Sequence, residues 1–237
     1  MLKIFHIPTL RRFLERGEPY LGHDATALPN RAVKASLWFA AINALSDEEC
    51  QMRFGQARSD LLQQYRRVVD VLMAQADLMN TNDMATLQAF LTTLVCLLAL
   101  RTLWQILADN KKIASRITDH SRRAWTMTAL VVRIARAMGL HYETPGLSPF
   151  EAELRRCLWQ TIRFVDVFIA IDRATEVLIP AGTWTTLRPK NVNDIEYDER
   201  SPSIPSHTTG LTDMSFALLA SEACTVTQRL NLSLIHI

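Results

Sequence analysis

Glycine is scarce in this sequence, with seven residues in 237. A sheet-rich fold spends glycines on turns and bulges, so it is disfavoured, while the abundance of Leu, Ala, Met, Gln, Glu and Arg favours helices. No apolar run is long enough to cross a bilayer. The longest, Ala89 to Leu100, stops at Arg101; it falls short of the roughly 20 residues a spanning helix needs and reads as a buried core helix. No secretory leader is apparent, because the mixed segment after Met1 has neither an apolar stretch nor a small-residue cleavage site. The cysteines Cys50, Cys96, Cys157 and Cys224 are scattered and form no Cys-x-x-Cys pair. They read as free buried thiols in a reducing compartment. Neither sign of charge dominates, and a net charge of +2 does not call for a nucleic-acid partner.

Catalytic signatures are missing as well. The histidines His6, His23, His120, His141, His207 and His236 lie far apart, and none forms a His-x-x-x-His pair on a helix face, so no metal site is expected. The chain holds no Gly-x-Ser-x-Gly elbow and no glycine-rich phosphate loop. Asp166 and Asp172 lack the companions of an aspartate-rich metal motif and read as helix-surface acids or partners of Arg163. An enzyme is therefore unsupported, and no cofactor is expected in this chain.

What the sequence does contain is a series of helices with clear punctuation. Its composition, 49% hydrophobic and 21% charged, is that of a folded protein. Thr9–Arg16 forms a short helix. Ala32–Leu45 is apolar on nearly every side and reads as deeply buried. Ser46 with Glu49 makes a capping box opening a helix that runs to about Met79, with an apolar stripe through Leu61, Leu62, Tyr65, Val68, Val69, Leu72 and Met73. Further helices follow over Met84–Ala108 and Ile113–Met138, the latter interrupted near Asp119–Ser121. Gly139 suits the left-handed position past a helix end. Ser148-Pro149-Phe150-Glu151 is the strongest helix start in the chain; its helix buries Leu154, Leu158, Ile162, Val165 and Ile169 and pairs Glu151 with Arg155 and Glu153 with Arg156 on its outer face. From Arg173 to Leu211 prolines replace periodicity, which predicts a long surface crossing ordered in part by Trp184. Thr212 or Asp213 then caps a last helix from Met214 to about Leu230.

Two groups of residues could bind something. The pairs Arg133/Arg136 and Arg155/Arg156 either grip an anionic effector by bidentate hydrogen bonds or form salt bridges with Glu151, Glu153 and Asp166, the commoner use of such pairs. Trp125 and Trp159, with His141, either line an effector pocket or belong to the core. A basic cluster at Lys111, Lys112, Arg116, Arg122 and Arg123 either meets phosphate or an acidic partner or, as is commoner for such runs, is a solvated helix face and loop.

Six segments, in order and at matching intervals, carry a family resemblance. They are Phe5-His6-Ile7-Pro8-Thr9-Leu10; Phe54-Gly55 with Leu61, Tyr65 and Leu72; Thr86-Leu87-Gln88-Ala89; Trp125 to His141 with Arg133 and Gly139; Ser148 to Trp159; and Asn191, Asn193 and Asp194. Together they resemble the middle homology region of fungal zinc-cluster transcription factors. Cys157 and Gln160 stand where that family usually has a third arginine and a second tryptophan. The residues after Asp166, Phe168 to Ala174, also depart from its pattern. Family members typically carry an N-terminal six-cysteine cluster that binds two zinc ions and reads the DNA major groove; four dispersed cysteines cannot build it. The resemblance also stops before Leu232–Ile237, which suggests a truncated end.

The reading that follows is an all-α fold of seven to nine helices packed as antiparallel pairs, with a long proline-containing loop near 173–211. Residues 1–237 form a single regulatory domain of a larger protein. The resemblance implies the regulatory region of a nuclear transcription factor, with zinc and DNA contacts confined to the missing module. Its partners would be other segments of the parent factor, the transcription machinery or a small-molecule effector, with no membrane involved. The effector candidates are Trp125, Arg133, His141, Arg156 and Trp159. The alternative is a free-standing helical protein of the same fold acting as an enzyme or small-molecule binder.

Overall fold

A computed structural model of the chain describes residues 2–107, 114–207 and 209–234, with side chains at 2–99, 122–207 and 209–228. Eight α-helices supply the regular structure among these residues: α1 (Ile7–Arg16), α2 (Leu28–Ala44), α3 (Asp47–Phe54), α4 (Arg58–Gln75), α5 (Met84–Leu107), α6 (Ala114–Ala137), α7 (Pro149–Arg173) and α8 (Ser215–Leu234). Among the described residues no strand occurs; extended backbone pairs in an isolated bridge between Tyr20 and His23. The fold is all-α.

α1 and α2 start at Ile7 and Leu28, two and four residues before the Thr9 and Ala32 of the sequence reading, and two further helices differ more deeply. The helix opened by Ser46 stops at Phe54 instead of continuing to Met79. Its capping box forms as expected: Glu49 N–H donates to Ser46 Oγ at 3.1 Å and Ser46 N–H to Glu49 Oε2 at 2.8 Å. Gly55 then adopts φ +66°, and its N–H closes on the Gln51 carbonyl. That left-handed residue ends the helix, so the chain turns and restarts at Arg58. In α6 the reverse holds. Thr118, Asp119, His120 and Ser121 are weak helix formers, yet the helix runs unbroken through them; a polar run holding neither Gly nor Pro lowers propensity without stopping a helix. Ala108, Ile113, Lys111 and Lys112 lie outside the described residues.

The chain divides into two compact units. In the first, Arg16–Val131, α2 and α4 form an antiparallel pair: Arg58 donates to the Asn43 carbonyl at 2.8 Å, Ile42 clusters with Cys50 and Leu61, and Trp38 meets Tyr65 edge-on at 6.0 Å. Asn43 reaches α5, donating to the Cys96 carbonyl at 3.1 Å. The start of α5 is buried all round, from Ala85 through Leu94, so the hydroxyls of Thr92 and Thr93 satisfy themselves on the carbonyls of Gln88 and Ala89 four residues back. Contrary to expectation, α2 is not enclosed: Trp38 is 53% exposed. Arg123 of the basic cluster pairs with Asp70 at 2.7 Å.

The second unit joins the segment up to Glu15 to everything from Val132 onward. Its centre is α7, where Leu154, Leu158, Trp159, Ile162, Val165 and Ile169 are all buried. Removing each large apolar side chain from water stabilises by about 1.5–3 kcal/mol. α8 packs on α7, with Ala217, Ala220, Cys224 and Gln228 buried along it and Met214 buried just before it. Its start is fixed by two hydrogen bonds, with Thr212 N–H donating to Ser215 Oγ and Met214 N–H to Thr212 Oγ1. All four cysteines are free and buried. Among the described residues no helix is long and apolar enough to cross a membrane.

Candidate regulatory site

α7 starts where the sequence indicates, with Ser148 Oγ accepting the Glu151 N–H at 3.2 Å and Pro149 filling the first turn. What this helix presents was not legible locally. Two of its acids, Glu153 and Asp166, do not face water. Glu153 is fully buried, and Asp166 is 2% exposed. Both accept backbone amides from the crossing segment between α7 and α8. Glu153 Oε1 takes the Lys190 N–H at 2.6 Å; Asp166 takes those of Leu178 and Ile179 at 3.0 and 2.9 Å. Glu143, just ahead of α7, takes the Leu187 N–H at 3.0 Å. A carboxylate with two oxygens can serve extended backbone that has no partner strand, so these acids replace a missing ladder.

The crossing is therefore no mere surface loop. Ile179, Thr186, Val192, Asp194, Tyr197 and Ile204 are buried within it. The Asn191-Val192-Asn193-Asp194 motif forms its knot: Asn191 donates to the carbonyls of His207 and Gly210 and accepts from Thr212, while Asn193 accepts the Asp213 N–H. Arg163 does not pair with Asp166. It donates to Gln160 and Gln228 and lies over the Trp184 ring at 4.0 Å, which fits Trp184's expected ordering role.

The electrostatics follow burial. Arg156 binds Glu143 and, one turn back, Glu153. Its hydrogen bonds hold the Glu143 carboxyl below the usual carboxylate range and raise its own pKa. Burial pushes Glu153 up despite Arg156 and the Lys190 amide, and does the same to Asp166. Burial also raises the Cys157 thiol, and raises Cys96 to about 12 and Cys224 to about 11; none of the three is a thiolate nucleophile near neutral pH.

A second knot ties the N-terminal segment to the crossing. Asp194 forms a buried ion pair with Lys3 and accepts the Ile7 N–H at 2.8 Å, at the start of α1. His6 Nε2 lies 2.8 Å from the Asp194 carbonyl, which can only accept, so the neutral imidazole carries its proton there and Nδ1 faces Thr9. Phe150 and Tyr197 pack against the ring. Arg12 clasps Glu199 through both carboxylate oxygens, at 2.8 and 2.7 Å. The hollow beside His6, lined by Lys3, Phe150, Leu154, Cys157 and Tyr197, has no room for a water molecule.

Burial holds the His6 pKa below its ordinary value. Below pH 6.5 the unfolded imidazole takes up a proton that the folded one refuses. The stabilisation is complete above 6.5 and is lost as pH falls through that value toward the folded pKa, by up to about 1.4 kcal/mol per pH unit. His141, also lowered by burial and by Arg136, acts in the same direction. His6→Gln should therefore flatten part of the pH 5–7 stability profile in urea melts; an unchanged slope would show that His6 does not titrate with folding.

The five effector candidates are placed unequally. His141 and Trp159 come together with ring centroids 6.0 Å apart, and neither His141 Nδ1 nor Trp159 Nε1 has a partner among the described residues. Arg156 sits one turn before Trp159 on α7 and is occupied by its two glutamates. Arg133 is exposed on α6. Trp125 is 42% exposed and belongs to the other unit, so it is not the core residue its helical position suggests. The expected Glu151–Arg155 pairing is replaced by Arg155 donating to the Met138 carbonyl at 2.7 Å, which closes the end of α6. The sequence offered no signal for Lys3 or Glu143, whose roles rest on distant amides and charges. Among the described residues no group of three or more His, Cys, Asp or Glu could hold a metal ion.

The C6 finger domain transcription factor adaR of Aspergillus niger is 32% identical over 232 residues, covering 94% of this chain and 27% of that protein. The homologues of this chain are fungal transcription factors, several of them C6 finger domain proteins. The factor nscR of Aspergillus fumigatus is 30% identical over 92% of the chain and 26% of its own length. The aurofusarin cluster transcription factor aurR2 of Gibberella zeae is 31% identical over 94% and 31%. These relatives are transcription factors, and the chain spans about a quarter to a third of their length. No family model matches the chain, and no solved structure matches it.

Proposed function

We propose that this chain is the regulatory middle region of a nuclear fungal transcription factor. In this reading residues 1–237 work as one region that modulates transcription through contacts within the parent protein, with other proteins or with a small molecule. The supporting observation is the alignment: nearly the whole chain matches about a quarter of a longer transcription factor, while its four cysteines cannot supply the six that a C6 finger needs. Zinc and sequence-specific DNA contact then belong to a module outside these residues. If an effector binds, the corner at His141, Arg156 and Trp159 is the place. A buried indole N–H and imidazole nitrogen without partners lose free energy that a polar ligand group would restore.

The test is a fusion of the chain to an unrelated DNA-binding domain, measured on a reporter carrying that domain's site. Severalfold repression or activation relative to the DNA-binding domain alone is the expected result. A fusion of equal abundance that leaves output unchanged would overturn the reading.

A further inference from the structure

A helix at a protein surface normally turns a polar face to water. α8 does not. Phe216, Leu219 and Val226 are 46%, 68% and 54% exposed, and Ala223 between them is exposed as well. They occupy positions i, i+3, i+7 and i+10, a single stripe away from the buried Ala217, Ala220 and Cys224. The charge beside the stripe, Glu222, pairs with Arg188 of the crossing segment. An apolar helix face of this kind on a folded chain marks an interaction surface.

Two features select the occupant. The stripe is self-complementary about residue 221: under a two-fold axis at that point, Phe216 lies opposite Val226 and Leu219 opposite Ala223, each larger side chain against a smaller one. The flanking charges are also complementary to themselves, because the same axis sets Arg188 of one copy toward Glu222 of the other. We propose that α8 forms an isologous, antiparallel contact between two copies of this chain, with the four apolar residues as its seam and Arg188 and Glu222 exchanging partners along its edge.

Analytical ultracentrifugation of the full chain tests this. With rising concentration the mass should climb from 26.9 kDa to twice that value. Leu219→Glu should hold the mass at 26.9 kDa without lowering the melting transition, since Leu219 is exposed. Arg188→Glu and Glu222→Arg should each weaken the dimer. An equimolar mixture of those two variants should restore it, because every cross-copy pair then has opposite signs; a purely intramolecular pair gains nothing from mixing. The proposal fails if the chain stays monomeric at all concentrations, if Leu219→Glu dimerises like the parent, or if the mixture is no heavier than its components.

Discussion

Asp194→Ala is expected to lose about 3–5 kcal/mol of stability, because it strands Lys3 as an unpaired buried charge. Lys3 and Asp194 are both nearly sealed from water, with side chains 9% and 3% exposed. The same substitution orphans the Ile7 amide at the start of α1. For a chain of this length the loss corresponds to a fall of roughly 6–20 °C in Tm. The informative control is the double variant Lys3→Met/Asp194→Leu. Removing both charges leaves only the Ile7 amide unsatisfied, so the double variant should be distinctly more stable than Asp194→Ala alone. Thermal or urea unfolding followed by circular dichroism reads both. A double variant as damaged as the single one would mean that packing, and not the ion pair, holds this knot.

Asp166→Ala comes second, with an expected loss of about 2–4 kcal/mol from two stranded amides. Part of the loss is offset, since burial disfavours the charged carboxylate it removes. The sign is clear from the raised pKa: the folded state holds the proton more tightly, so the Asp166 contribution is fullest below the ordinary carboxylate pKa and declines as pH rises through the folded value. Asp166→Asn keeps one acceptor oxygen without the charge and should lose less than the alanine variant. Because the amides of Leu178 and Ile179 anchor the front of the crossing, trypsin should cut after Arg173 much faster in Asp166→Ala. Equal digestion rates would show that the crossing is held elsewhere.

Much of the helical frame could be read from the chain because its signals are local. Ser46 with Glu49 and Ser148 with Pro149 act within one turn, and Gly139, at φ +71°, needs only its own backbone. Gly55 carries the same signal and was overridden by the apolar stripe that resumes at Leu61; the sequence shows that both segments share a face but not that the helix stops between them. The candidate site was legible only in part. His141 and Trp159 do meet. The acids of α7 looked like surface residues because helical spacing gives neighbours three and four apart, whereas the partners of Glu153 and Asp166 are amides 37 and 12 residues away in a segment without periodicity. No pattern in composition encodes which backbone amide a carboxylate will find.

The ties of the first dozen residues bear on how the chain is made. Lys3 meets Asp194, the Lys3 carbonyl accepts from Thr161, and Arg12 meets Glu199. During translation at about 5–20 residues per second, these partners emerge roughly ten to forty seconds after the residues that need them. The α2–α4 pair can close as soon as α4 has been made, whereas Lys3 and Arg12 must wait for Asp194 and Glu199, so the segment around α1 docks late.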